Sequence, residues 1–175
     1  MTTTTNRLAF VAIAATFSVM PLQTQAQDAF AALDVSMPPA AAEEMESLAY
    51  DMILAGRGWE QAAGLYLRAA AMRGAADPRS ATDVRLAGYI YFYKGRPQAA
   101  VTSLTGAGEA YLALGDVEGA AETFIDAAWV AAKVGMTAEA RGLADRARLL
   151  TRSPLLEPSA RFGLAERLGA TPGTE

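Results

Sequence analysis

Glycines recur at a spacing of twenty residues in the second half of the chain, at Gly95, Gly115 and Gly135, and an alanine follows each of them five residues later. A glycine just beyond a helix end can adopt the left-handed conformation that closes the last turn. Each period therefore predicts one helix of about 15 residues followed by a turn of roughly two to four residues. Helices joined by such short turns pack antiparallel with their neighbours, so the spacing predicts a row of αα-hairpins.

Residues around these glycines predict where the helices begin. Asp116 and Thr137 are expected to be N-caps and Pro97 to lie in a first turn, while Ser80 and Asp83 resemble a capping box after a longer loop. No stretch alternates apolar and polar residues as a strand does, so the fold class is all-α. A chain of 175 residues is expected to form one domain. The predicted helices are 41–55, 59–73, 81–94, 97–113, 117–133, 137–150 and 155–168, with the longer loop at 74–80.

The same positions resemble the signature of the tetratricopeptide repeat family, in which small, aromatic and large residues alternate in a fixed order around the turn glycine. The copies that fit are Gly108, Tyr111, Gly115, Ala120, Phe124 and Ala127, and Gly88, Tyr91, Gly95, Ala100, Leu104 and Ala107. The early Trp and the closing Pro of the family are missing, and alternate turn glycines are 40 residues apart rather than about 34.

The resemblance implies a solenoid of antiparallel αα-hairpins, with about three repeats over residues 41–168 and a concave groove for partners. We prefer to pair the helices 41–55 with 59–73, 81–94 with 97–113, and 117–133 with 137–150, because the longer loop then falls between repeats; the shifted pairing stays open. The last helix is expected to cap the apolar end of the array. Its covering residues would be Phe162, Leu164, Ala165 and Leu168.

The N-terminus has the pattern of a secretory signal peptide. Arg7 precedes an uncharged apolar run over residues 8–20, and Thr24-Gln25-Ala26 matches a small-x-small cleavage site. We expect a signal peptide at 1–26 cleaved after Ala26, a flexible lead-in at 27–40, and a disordered tail at 169–175. The protein would then be periplasmic or secreted, with no transmembrane segment after cleavage; a buried first helix or a retained anchor is the alternative.

Composition excludes several function classes. The chain has no His and no Cys, so zinc, haem, thiol and histidine-based catalytic chemistry have no ligands or bases. We therefore expect no enzyme activity, no cofactor and no metal site. The acidic residues Glu43, Glu44 and Glu46 are expected to stabilise a helix N-terminus, with a calcium site as the alternative. The net charge of −4 argues against a nucleic-acid partner.

An aromatic run at 89–93 is the main candidate for function, because its side chains spread around more than one helical face. If Tyr91 is the packing aromatic of the repeat, the neighbouring helix faces line the groove that the resemblance implies. The predicted groove residues are Arg85, Tyr89 and Phe92 on one helix and Glu122, Trp129 and Lys133 on another. Aromatics beside charges suit peptide recognition, although the same aromatics could instead seal the core.

A second candidate surface is basic. Arg141, Arg148 and Arg152 share one helical face with Asp145, which predicts either a solvated face with internal ion pairs or a dock for an acidic partner or anionic envelope surface. The sequence thus favours a non-enzymatic adaptor or scaffold of the periplasm or cell envelope that binds a partner peptide or helix in its groove. The alternative is a structural module that self-associates through its Ala-rich end helices into a homo-oligomer.

Overall fold

The computed structural model describes residues 39–172, so the predicted signal peptide, the lead-in up to residue 38 and residues 173–175 lie outside it. Within this range helices are the only regular secondary structure, which confirms the all-α prediction. Each of the first six helices packs against the next one along the chain. The helices are α1 (Pro39–Leu54), α2 (Trp59–Arg73), α3 (Pro78–Tyr93), α4 (Pro97–Ala113), α5 (Val117–Lys133), α6 (Thr137–Leu150) and α7 (Pro158–Gly169).

The turn glycines behave as their spacing predicts. Gly95, Gly115 and Gly135 have φ of 71°, 79° and 79°, in the left-handed region that a residue with Cβ adopts only with strain. The amide that follows each glycine donates to the carbonyl five residues earlier; for Arg96 and Tyr91 the distance is 2.9 Å. This bond satisfies a carbonyl that the helix end leaves free, so each turn is closed by its own backbone.

Three predicted helix starts are wrong: α1 begins at Pro39 rather than at 41, α3 at Pro78 rather than at 81, and α7 at Pro158 rather than at 155. Helix α3 begins at Pro78, with Asp77 as the N-cap that accepts from the Arg79 amide at 2.9 Å, because a proline at the first helical position is already set for the helix. Ser80 and Asp83 therefore lie inside α3, and both are buried. The loop that was expected at 74–80 is only residues 74–77, so its length gives no reason to prefer one pairing of helices.

Helix α6 begins at Thr137 as predicted, but the residue predicted to be its N-cap is wrong. The N-cap position there is Met136 rather than Thr137, whose hydroxyl donates back to the Gly135 carbonyl at 3.4 Å. Asp116 does cap α5 as predicted, since its carboxylate accepts from the Gly119 amide at 2.8 Å. The longest connection among the described helices is residues 151–157, which precedes α7.

Small residues let neighbouring helices approach closely at positions that belong to the repeat signature. A Cβ on Gly88 would lie 2.8 Å from the Leu104 side chain, and a Cβ on Gly108 would lie 2.8 Å from the Phe124 ring. These two contacts are equivalent, because both pairs are 16 residues apart. The alanines of both copies are completely buried; they are Ala100, Ala107, Ala120 and Ala127. Small residues therefore allow α3 and α4, and α4 and α5, to pack closely at these points.

The last helix covers the end of the core with only half of the residues that were expected to do so. Leu164 and Leu168 are buried against α5 and α6. Phe162 is 74% exposed, and Ala165 is exposed too, which corrects the prediction. The reason is angular: Phe162 precedes Leu164 by two residues, which places it about 200° around the helix from the buried stripe.

The ends of the described chain differ slightly from the expected domain limits. Helix α1 already begins at Pro39, inside the segment expected to be a lead-in, and Thr171 is buried with its hydroxyl bonded to the Arg167 carbonyl at 3.1 Å. The folded unit therefore extends a few residues beyond 41–168 at both ends. None of the helices in residues 39–172 is long and apolar enough to cross a membrane.

Candidate functional site

Helices α3 and α5 place the six predicted groove residues next to each other. On each helix these residues are three, four, seven or eleven positions apart, and each of these spacings keeps them on one helical face. We call the combined area the α3–α5 surface. It consists of Arg85, Tyr89, Phe92 and Tyr93 on α3 and of Glu122, Asp126, Trp129 and Lys133 on α5.

One half of the α3–α5 surface is a polar network centred on Asp126. The Tyr89 hydroxyl donates to Asp126 Oδ2 at 2.5 Å and accepts from Arg85 Nε at 2.7 Å. The Arg85 guanidinium also lies 3.3 Å from oxygens of both Glu122 and Asp126. Asp126 was not among the predicted site residues, although it lies one helical turn after Glu122 and shares its face.

The network fixes the protonation state of the tyrosine. Burial raises the pKa of Tyr89 to about 12, and the hydrogen bond to Asp126 acts in the same direction. A phenol with that pKa keeps its proton throughout the neutral range, so Tyr89 serves here as a hydrogen-bond donor.

Helix α7 completes the network from the other side. Arg167 donates to Asp126 Oδ1 at 2.7 Å and to Glu122 Oε1 at 3.3 Å. The two carboxylates of α5 are thus held between an arginine of α3 and an arginine of α7. Every charge in this half has an internal partner, so the network links α3, α5 and α7.

The other half of the surface is aromatic and partly open. The edge of one ring meets the face of the other where Phe92 and Trp129 pack, with centroids 5.4 Å apart and an interplanar angle of 70°. Lys133 Nζ lies 5.2 Å from the Trp129 ring centroid. Trp129 is 37% exposed and Tyr93 is 77% exposed, while Phe92 and Tyr89 are half-buried against the core. Some of these aromatic rings therefore pack on the core and others are exposed to solvent. Both interpretations of the sequence, partner recognition and sealing of the core, thus remain open for different rings.

Tyr91, which the signature assigns to packing, is half-buried. It packs against both buried clusters of the molecule, the small one beneath α1 to α3 and the large one from α3 to α7. Its role is thus to join the two clusters within α3.

A second concave feature lies between α1 and α3. It is a cleft of about 450 Å³ whose floor includes Tyr66, Glu46 and Asp83. Tyr50 on α1 is exposed at its rim, opposite Leu86 on α3. The cleft therefore combines an apolar wall with carboxylates, but it was not foreseen from the sequence.

A buried ionic cluster lies beneath this cleft. Arg73 Nη1 is bonded to Asp83 Oδ2 at 2.5 Å and also to Glu46, and the side chains of Arg73 and Asp83 are each 3% exposed. Burial raises the pKa of Asp83 to about 7, and the nearby Glu46 adds to the rise, against the pull of Arg73. The hydrogen bond from Arg73 lowers the pKa of Glu46. One arginine shared by two carboxylates thus leaves one of them, Asp83, easily protonated.

The acidic residues at the start of α1 are held by arginines. Glu43 Oε1 pairs with Arg79 Nη1 at 2.9 Å, and Glu46 pairs with Arg73. Residues 39–172 contain no group of three or more side chains arranged to hold a metal ion.

The three residues of the predicted basic face lie on α6 and on the turn that follows it. Arg148 pairs with Asp145 within α6, as expected, whereas Arg141 and Arg152 are exposed. Arg146 turns away to Glu109 on α4 at 3.1 Å, and its guanidinium lies 4.1 Å from the centroid of the buried Phe124 ring. Arg146, which is not part of the predicted basic face, therefore contributes to helix packing.

Neither a protein-family model nor a curated protein matches this chain. The function is therefore inferred from the geometry of the α3–α5 surface and the chemistry of its residues.

Proposed function

We propose that the protein is a non-enzymatic adaptor of the periplasm or cell envelope, built as a tetratricopeptide-like array of three αα-hairpins and a capping helix. Its partner is a peptide or helix that lies on the α3–α5 surface. The observation that carries this proposal is the side-by-side placement of partly exposed aromatic rings and an internally paired polar network on α3 and α5.

The aromatic half would supply most of the binding energy. Trp129 and Tyr93 present large rings with few rotatable bonds, and Phe92 supports Trp129 from beneath. Buried Trp and Tyr side chains are the residues most often found as hot spots, where truncation costs about 2 kcal/mol or more. Such anchors lose little conformational entropy on binding, because Trp and Tyr side chains have only two χ angles each.

The polar half would set the position of the partner. Its carboxylates are held by two arginines from different helices, so its donors and acceptors keep fixed positions before the partner arrives. Fixed polar groups confer register and specificity more than affinity. A partner helix or extended peptide with aromatic or apolar anchors at one end and polar groups at the other fits this arrangement.

Composition supports a role without catalysis or cofactor, since the chain offers no imidazole and no thiol. Asp83 and Tyr89, the groups whose pKa rises most clearly toward their neutral forms, are both engaged in internal hydrogen bonds. Structural hydrogen-bond and ion-pair networks commonly shift pKa values in this way, so the shifts do not require a catalytic role. The proposed location outside the cytoplasm rests on the signal-peptide pattern alone.

The experiment compares proteins captured from the native envelope by the wild-type chain and by a Trp129→Ala/Tyr93→Ala double variant. The matched control is Tyr50→Ala/Phe162→Ala, which removes two exposed aromatic side chains from other surfaces. A partner captured by the wild type and the control, but not by the double variant, is then titrated by calorimetry, because the double variant lacks one of the two tryptophans. We expect its affinity for the double variant to fall at least about 30-fold, which corresponds to about 2 kcal/mol.

The melting temperature separates binding from folding, because groove anchors contribute to the complex and core aromatics to the fold. We expect both double variants to melt within a few degrees of the wild type. Equal capture by the wild type and the Trp129→Ala/Tyr93→Ala variant would refute a partner site on the α3–α5 surface.

A further inference from the structure

The cleft between α1 and α3, which we call the α1–α3 cleft, belongs to a cluster of charges that is not neutral. Its lining includes Glu46, Tyr50, Tyr66, Asp83 and Leu86. Four carboxylates share two guanidiniums in this cluster: Glu43, Glu46, Asp77 and Asp83 pair with Arg73 and Arg79. None of these six groups pairs with a further charged residue that the structure describes. The cluster therefore keeps an excess of negative charge when all its carboxyl groups are ionised.

The two carboxylates at the floor of the cleft have unused hydrogen-bonding capacity. When Asp83 is ionised, Arg73 Nη1 is the one donor within residues 39–172 that bonds to the side chains of Glu46 and Asp83. A carboxylate can accept about four hydrogen bonds. Arg73 itself does not line the cleft. Arg79 does, but its guanidinium is already bonded to Asp77 and Glu43. The floor of the cleft therefore offers acceptors to a group that carries donors.

Tyr66 of α2 adds a hydroxyl beside these carboxylates. The residue lines the cleft and is only 5% exposed. Burial raises the pKa of Tyr66, and the charges of Asp83 and Glu46 act in the same direction, so the hydroxyl lies near both. This hydroxyl makes no hydrogen bond with any residue in the described part of the chain. A hydroxyl at this depth normally has a partner, so it points to a polar ligand group in the cleft.

The upper part of the cleft is apolar and has room for a small molecule. Leu86 of α3 lies there, and the exposed ring of Tyr50 is at the rim on α1. The volume of about 450 Å³ is within the range of about 300–1,000 Å³ that is usual for small-molecule sites. The side chains of residues 39–172 form no group arranged to hold a metal ion. These features favour an organic cation with an apolar part over an inorganic ion.

We propose that the α1–α3 cleft binds a small primary amine. Its ammonium group donates to the carboxylates of Glu46 and Asp83 and to the hydroxyl oxygen of Tyr66, which uses all three of its N–H bonds. Its short apolar chain lies along Leu86 and Tyr50. A compact ammonium suits three acceptors placed around one point, whereas a guanidinium is planar and suits a single carboxylate in a two-bond contact.

Binding of the ammonium group is coupled to the loss of a proton from Asp83. Burial raises the pKa of this carboxyl to about 7, and Glu46 adds to the rise. A positive charge beside Asp83 favours its ionised form. The affinity should therefore increase about tenfold from pH 6 to pH 8, because a group with this pKa changes from about one-tenth to about nine-tenths ionised over that range.

The groups around Asp83 whose pKa values are shifted are not the source of this pH dependence. Hydrogen bonds from arginines lower the pKa of Glu46 and of Asp77, whereas the pKa values of Tyr66, Arg73 and Arg79 are raised. Each of these shifts is directed away from neutral pH. Asp83 is therefore the member of the cluster whose pKa is moved into the neutral range.

Calorimetric titration of the exported chain with pentylamine, in amine-free buffers at pH 6, 7 and 8, tests the proposal. Tyr66→Phe removes the hydroxyl and keeps the ring, and Asp83→Asn removes the charge with little change of shape. Each variant should bind pentylamine at least about tenfold more weakly than the wild type at pH 8, because a hydrogen bond to a charged group is lost. Asp83→Asn should also lose the pH dependence.

Two matched controls lie outside the cleft. Tyr91→Phe removes a hydroxyl that likewise has no hydrogen-bond partner among the described residues, from a half-buried ring. Asp51→Asn removes an exposed carboxylate from α1 and changes the net charge as Asp83→Asn does. Both controls should bind pentylamine as the wild type does.

Three further probes separate the parts of the ligand. The compound 1-pentanol has the apolar chain without the charge, ammonium chloride has the charge without the chain, and N-acetyl-lysine methylamide presents the same amine on a peptide backbone. The first two should each bind at least about tenfold more weakly than pentylamine, because each lacks one of the two interactions. The capped lysine should also bind more weakly, because its backbone must remain outside the cleft.

Several results would overturn the proposal. Pentylamine that does not bind at concentrations up to about 10 mM would do so, as would equal binding by 1-pentanol or an equal loss of affinity in Asp51→Asn. Tighter binding of the capped lysine would assign the cleft to a lysine of a protein partner instead of a small amine. The cleft shares no residue with the α3–α5 surface, so partner capture there is measured separately and either proposal can fail while the other stands.

Discussion

The close approach between Gly108 of α4 and Phe124 of α5 supports a quantitative prediction. A Cβ at position 108 would lie 2.8, 2.9 and 3.0 Å from three carbons of the Phe124 ring, whereas favourable carbon contacts are about 3.5–4.0 Å. The ring is completely buried, and the Arg146 guanidinium lies 4.1 Å from its centroid. The ring therefore has little room to move, and Gly108→Ala should cost about 1–3 kcal/mol through overpacking.

Replacing a helical glycine by alanine also has a favourable effect, which must be separated from the overpacking. Alanine stabilises a helix interior by about 0.5–1 kcal/mol relative to glycine. Gly106 lies two residues earlier in α4 and is exposed, and a Cβ there would meet no atom within 4 Å. Gly106→Ala should therefore gain the full helix contribution. The difference between the two variants isolates the overpacking, which we expect to be about 1–3 kcal/mol.

Urea denaturation followed by far-UV circular dichroism measures both free energies of unfolding, provided that the slope with denaturant is unchanged. A third variant locates the cause: in a Phe124→Leu background, the smaller side chain should relieve the clash and reduce the cost of Gly108→Ala. If Gly108→Ala were as stabilising as Gly106→Ala, the helices would not approach closely at this point. The equivalence between Gly108–Phe124 and Gly88–Leu104 would then lose its basis.

Two further predictions concern the buried carboxylate and the start of the exported chain. Because the pKa of Asp83 is higher in the folded state, at about 7 against a usual 3.8, its contribution to stability is complete below about pH 4 and is lost as the pH rises to about 7. The free energy of unfolding of Asp83→Asn should thus equal that of the wild type near pH 4 and exceed it above pH 7, by on the order of 1–3 kcal/mol. If the two free energies instead changed with pH in parallel, the raised pKa of Asp83 would be contradicted. N-terminal sequencing of the exported protein should begin at Gln27, and a detergent-extracted product that begins at Met1 would indicate an anchor.

Helix boundaries were predictable because they depend on residues close in sequence. The bounds of α2, α4, α5 and α6 agree with the glycine spacing, since a left-handed glycine or an early proline acts within one turn. The start of α3 was missed although Asp77 and Pro78 carry a local signal for it. Ser80 and Asp83 gave a competing signal, and sequence alone could not show that both would be buried by α2.

Contacts between distant helices were not predictable in the same way. Asp126 could have been found, because it follows Glu122 by one helical turn on a face already assigned to the groove. Arg167 could not, because its contact with Asp126 spans 41 residues and depends on how α7 turns back. The exposure of Phe162 has the same cause, since the path of residues 151–157 decides which face of α7 meets the core.

The internal pairing of charges on the α3–α5 surface has a consequence for how a partner binds there. A partner that competes for Asp126 must displace Arg85 or Arg167, both of which are partly exposed, and exchanging one such ion pair for another yields at most about 1 kcal/mol. The rings of Trp129 and Tyr93 offer more, because they can leave water without breaking a charge pair. Binding at this surface should therefore depend weakly on salt.

Docking of an acidic partner on the exposed Arg141 and Arg152 would instead weaken steeply as ionic strength rises, because exposed charges are screened over about 10 Å at 0.1 M salt. The salt dependence of the captured partner's affinity thus shows which of the two surfaces predicted from the sequence it binds.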